Sequence, residues 1–270
     1  MNILKIVKLT IPTIILIISL SSTSQASELR KSINTVLAIG GQMTNMRHLL
    51  ETYALIATSV SYKAPEKRLL KGILEYEGAI DSIEKNYKDK AIQDNIKNGK
   101  KAWKPVKKAL LTALKNNDSK RMRKEGLFIH ANIRSVIIEL ANMKKYILDK
   151  DKPKDRDELN AIIEIDASSQ RLSAHYMMKM WKLEDPTIEE HWNKGVEIYT
   201  NSIITLKASH YYKDAKFKKL LDNTERNLRY FKMVFTFDDK FVPVVVQERA
   251  STVCKDADAM GEILLDEISK

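Results

Sequence analysis

The chain has 270 residues, with 46 Lys and Arg against 35 Asp and Glu, a formal net charge of +11, 8 glycines, 6 prolines and one cysteine. One thiol excludes an internal disulfide framework, so the fold must rest on a hydrophobic core, which a chain of this length can supply as one or two domains. The charge is uneven: residues 27–152 carry 26 Lys and Arg against 14 Asp and Glu, whereas residues 153–270 carry 18 against 21.

Residues 1–26 read as a secretory signal peptide. Lys5 and Lys8 form a basic start, Leu9 to Leu20 an apolar stretch, and Ser24-Gln25-Ala26 a small-residue cleavage site. About 12 apolar residues interrupted by Pro12 fall short of the roughly 20 that a spanning helix needs. The expected location is therefore periplasmic or secreted, with no transmembrane segment in the mature chain. Export also removes nucleic acid as a partner for the basic half. That surface suits an anionic lipid, a cell-wall polymer or an acidic partner, if it is more than a solvated lysine-rich face.

Almost everything after Ala26 has helical periodicity, with apolar residues three and four apart. Helix one carries Leu29, Ile33, Val36, Gly40, Met43, Arg47, Leu50 and Ala54 on one seam. Pro65 suits the first turn of helix two, and Pro105 should bend helix three. Asn116 to Ser119 supplies a break and a cap for helix four, whose seam runs Met122, Gly126, Ile129, Ile133, Val136, Leu140, Met143 and Ile147. A charged joint, Asp149 to Arg156, leads to helix five, which should end near Asp185-Pro186. Helix six uses Ile188, Trp192, Tyr199, Ile203 and Leu206, and helix seven uses Phe217, Leu221, Thr224, Leu228, Phe231 and Phe235. Helix eight uses Val246, Ala250, Val253, Ala257, Met260, Leu264 and Ile268, with Pro243 in a first helical turn rather than in a strand. The lone Cys254 lies beside its apolar stripe and should be buried.

Helices one and five echo each other. Ile33-Asn34 aligns with Leu159-Asn160, and Ile39 with Ile165, and both segments start aliphatic, turn polar and resume apolar. The expected architecture is all-α: two tandem antiparallel four-helix bundles, in residues 27–150 and 151–270.

Bundles of this kind often hold metals or haem. None of the five histidines has the Glu three residues earlier that a di-iron bundle requires, and covalent haem attachment through a Cys-x-x-Cys-His motif needs a second cysteine. Seam methionines read as core rather than as haem ligands. There is no nucleophile elbow and no glycine-rich phosphate loop. The sequence therefore points to no cofactor, no metal site and no enzyme. What remains is charge on faces that should be apolar: Arg47 between Met43 and Leu50, and the run Asp166, Ser169, Gln170, Arg171, Ser173 between Ile162 and Tyr176. Each such charge is either half of an internal ion pair or a ligand contact.

At these residues the chain resembles the PilJ-like domain, the four-helix periplasmic sensor module of type IV pilus chemoreceptors and of NarX-type nitrate/nitrite sensor kinases. An apolar-Asn helix start is followed by a Ser-Gln-Arg, here Leu159-Asn160 and Ser169-Gln170-Arg171, with Tyr176 at the family's tyrosine. The first copy fits through Ile33-Asn34, Met43 and Arg47 after a two-residue insertion, and Trp103 and Pro105 resemble the family's W-x-P. The resemblance implies a sensor-type module that binds a small ligand, with anions among the candidates, through Asn34, Gln42, Arg47, Asn160, Ser169, Gln170 and Arg171. It also implies a homodimer or a membrane receptor or kinase as partner. Gln42 and Asp166 stand where the family has its first arginine, so nitrate itself is not implied. The alternative is a structural or interaction protein of the cell envelope that docks on anionic surfaces through its basic half.

Overall fold

A computed structural model describes the backbone of residues 4–115 and 119–268, and side chains in 27–115 and 120–267. The chain is all-α, and no strand occurs among the described residues. In order, the helices are α1 (Leu4–Ala57), α2 (Pro65–Asn86), α3 (Lys90–Thr112), α4 (Ser119–Asp151), α5 (Arg156–Met180), α6 (Thr187–Ala208), α7 (Ala215–Phe235) and α8 (Pro243–Ile268), with a 3-10 turn at His210–Lys213 before α7. The proposed cleavage site and the caps at Asn116 to Ser119 lie outside the residues whose side chains are described. Among the described residues, no helix is long and apolar enough to cross a membrane.

The periodic seams are the buried faces. Every apolar seam position of α4 from Met122 to Ile147 is buried, as are Ile188, Trp192, Tyr199, Ile203 and Leu206 of α6. Pro65 and Pro243 each open a helix, where the missing N–H costs nothing. Pro105 lies inside α3, which continues through it to Thr112.

Helix α5 corrects the sequence reading: it ends at Met180, not near Asp185-Pro186. The backbone N–H of Leu183 donates to Met178 O and that of Lys182 to Lys179 O, the paired bonds of a Schellman closure. Lys182 takes the left-handed position of that closure, at φ 54°, where glycine is usual. The closure is held by Trp181, which is buried against Tyr53 at a ring-centroid distance of 6.1 Å.

Within the first half, α1 packs on α2, α2 on α3, α3 on α4, and α4 back on α1; the second half repeats this ring with α5 to α8. The two echoing helices, α1 and α5, also pack extensively against each other and join the rings. They come close at Gly40, where an added Cβ would come within 2.7 Å of Ile163 Cγ2. Gly40→Leu should therefore wedge α1 from α5 and lower the urea unfolding free energy by about 1–3 kcal/mol, the usual cost of overpacking. An unchanged midpoint would show that this contact is not tight.

Candidate functional site

Helices α4 and α5 both lean on α1, and the cleft between α4 and the α5–α6 pair is a cavity of about 750 Å³. Met43, Arg47 and Leu50 of α1 line it, with Ile133 and Arg134 from α4, Glu164 and Arg171 from α5, and Glu190 and Lys194 from α6. The two arginines that interrupt the apolar seams thus reach one space from different helices.

Neither arginine forms an ion pair among the described residues. Glu164, whose charge acts on both, is instead engaged by Lys144 at 3.0 Å, and the same ammonium donates to Asn160 Oδ1 at 2.7 Å. Burial works against ionising Glu164, but Lys144, Arg47 and Arg171 outweigh it and hold its carboxyl below the usual range. Arg47 is 5% exposed, and its buried Nη1 has no hydrogen-bond partner. Burial, with the Arg171 charge beside it, pulls the Arg47 guanidinium down to about 9, so it still carries its charge at neutral pH. Arg171 is also lowered, mainly by burial and further by Arg134. Its stem lies on Gly195 of α6, where an added Cβ would meet Arg171 Cδ at 3.0 Å. The absence of a side chain there lets the arginine lie flat against α6.

At one end of the cleft stand three histidines, His130 of α4, His175 of α5 and His191 of α6, with one ring nitrogen of each within 4.8 Å of the others. His130 Nδ1 faces Asp185 Oδ2 at 2.6 Å, and His175 Nδ1 faces Arg171 O at 2.6 Å. Asp185 also accepts from the Thr187 N–H and hydroxyl through Oδ1 at 2.9 and 2.7 Å, capping the start of the helix that carries His191. Burial drives the His175 imidazole to the neutral form, well below the usual histidine range, and lowers His191 in the same direction.

The other residues implicated by the sequence are elsewhere. Asp166 Oδ2 accepts from Thr44 Oγ1 at 2.7 Å, and burial raises its carboxyl above the usual range. Gln170 Nε2 donates to Cys254 Sγ at 3.4 Å, and Ser169 Oγ to Asp166 O at 2.8 Å. Gln42 accepts from Asn45 at 3.1 Å, and together with Gln170 and Cys254 it lines a shallower depression on the far side of α1. Cys254 is half-buried as a residue, with its thiol tucked among these polar groups and raised well above its ordinary range by burial. Asn34 is exposed near the start of the described part of α1, away from the cleft. Of the seven implicated residues, the structure brings Arg47 and Arg171 together and places Asn160 on the lysine that engages Glu164.

Three residues that motif reading passed over, His130, His175 and His191, complete the site. No family model, curated protein or solved structure matches this chain.

Proposed function

We propose that the protein is an exported, non-catalytic binding module that takes a small anion in the cleft between α4, α5 and α6, in the manner of a sensor domain built from two tandem bundles. The observation that supports this is Arg47: a buried guanidinium, turned into a cavity, with an unpartnered nitrogen. A cation withdrawn from water costs several kcal/mol unless it is paired, and here Glu164, whose charge acts on Arg47, is already engaged by Lys144. An anion seated between Arg47 and Arg171 would supply the missing acceptor and relieve the repulsion between the two guanidinium groups. Occupancy would then be reported to a second copy or to a membrane receptor, and the PilJ-like resemblance of α1 and α5 belongs to the same proposal.

The experiment is a thermal-shift screen of the purified chain against small inorganic and carboxylate anions, repeated with Arg171→Ala. An anion at 100 times its Kd should stabilise the protein by about 2.7 kcal/mol. The variant should lose that gain while costing the ligand-free protein little, because among the described residues Arg171 has no ion-pair partner to strand. No shift with any anion, or equal shifts in both proteins, would overturn the reading.

A further inference from the structure

We propose that His130, His175 and His191 form a binding site for a divalent transition ion of the zinc class. The proposal stands apart from anion binding, since it uses the backbone carbonyl of Arg171 but neither arginine side chain.

The tautomers carry the argument. Asp185 Oδ2 and the Arg171 carbonyl can only accept, so the Nδ1 atoms of His130 and His175 must donate to them. In neutral rings this leaves both Nε2 atoms as bare lone pairs, and they face each other at 3.4 Å. Nδ1 of His191 approaches the same His130 Nε2 at 3.3 Å. Two lone pairs at this distance repel unless a cation lies between them. Two of the three separations are also what coordination asks for, since nitrogens about 2.0–2.1 Å from a tetrahedral ion stand about 3.3–3.4 Å apart. The third pair, His175 and His191, lies within 4.8 Å and would draw together on an ion. Rings whose other nitrogen donates to a carboxylate or a backbone carbonyl are the usual support of histidine ligands, because that bond fixes the tautomer and the ring plane. Three helices present the ligands, so packing holds the set rather than a loop. The cavity adjoins the three rings and leaves room for a water or small anion as fourth ligand. Three histidines with an exchangeable fourth position suit zinc better than calcium or magnesium, which prefer oxygen donors.

The test uses the purified, untagged chain, stripped with a chelator and titrated with Co²⁺ by absorption and with Zn²⁺ by calorimetry. One equivalent per chain is expected, with the intense visible bands of four-coordinate cobalt. His191→Ala should weaken binding at least 100-fold, and because His191 is only half-buried this variant should fold even if His175→Asn does not. Asp185→Asn keeps an oxygen to cap α6 but weakens the hold on His130, and should cost 10- to 100-fold in affinity. His210→Ala, on the exposed residue paired with Glu267, should bind as the parent does. The proposal fails if no equivalent binds at micromolar concentrations, the result expected if a proton rather than a metal bridges the rings. It also fails if His191→Ala and His210→Ala bind alike.

Discussion

Arg47→Met should make the ligand-free protein more stable by about 1–4 kcal/mol, the range seen when buried charges give way to apolar side chains of similar size. Methionine has nearly the reach of the arginine stem and would pack against Met43 and Leu50, which line the same floor of the cleft. The substitution removes a charge that helps keep Glu164 and Asp166 ionised, but Glu164 keeps its contact with Lys144 at 3.0 Å and Asp166 its hydrogen bond from Thr44. The sign follows from the shift. Arg47 is lowered from its ordinary value to about 9, so holding its proton in the folded state is unfavourable throughout the pH range below that value. The penalty is therefore fully present at neutral pH and fades only as the pH rises past 9 toward the unfolded value. Urea unfolding at pH 7 measures the gain, and the same variant should show no anion-induced stabilisation. A loss of stability would mean that Arg47 is satisfied in the folded chain and is not waiting for a ligand.

Arg47 and Arg171 were legible in the sequence because each breaks an apolar seam, and a charge on such a face calls for a partner or a ligand. The helices were legible for the same reason, since a three- and four-residue apolar spacing survives any arrangement of the bundle. The histidines were not. His130, His175 and His191 come from three helices and share a site only because α4 leans on α1 beside α5 and α6. No fixed spacing along one helix announces them, and the Glu-x-x-His pattern is the wrong template for ligands that arrive singly. One local signal was available: Asp185-Pro186-Thr187 is a helix start, and its carboxylate has an oxygen left over for His130 after capping. The end of α5 was misplaced because its closure puts Lys182 where glycine would have marked the stop. The echo between α1 and α5 revealed two similar helices, but similarity does not say that the pair should pack together. Gly40 against Ile163 is one contact where a missing side chain makes room for them to do so.

That same helix pair carries the second large effect. Glu51 of α1 is wholly buried, yet it accepts from Ser173 Oγ of α5 at 2.6 Å and meets His48 Nδ1 at 2.9 Å. Arg68 of α2 adds its charge from the other side while donating to Thr52 at 3.1 Å. Burial alone would raise this carboxyl, but the bonds from His48 and Ser173 and the Arg68 charge more than offset it, and the net shift is downward. A carboxylate lowered in the folded state contributes stability above its unfolded pKa and loses it as the pH falls through the folded value. The parent protein should therefore lose stability as the pH drops below about 4.5, the region where an unfolded glutamate takes up its proton. Glu51→Gln should flatten that part of the profile. Glu51→Ala should cost about 3–5 kcal/mol at pH 7, because it removes an anion that offsets the half-buried Arg68 and leaves the Ser173 hydroxyl without its acceptor inside the α1–α5 contact. Urea midpoints between pH 3 and 7 for the parent and both variants decide it. A parallel acid limb in Glu51→Gln, or a cost below about 1 kcal/mol in Glu51→Ala, would mean that apolar packing alone holds α1 to α5 and that the buried carboxylate is a passenger there.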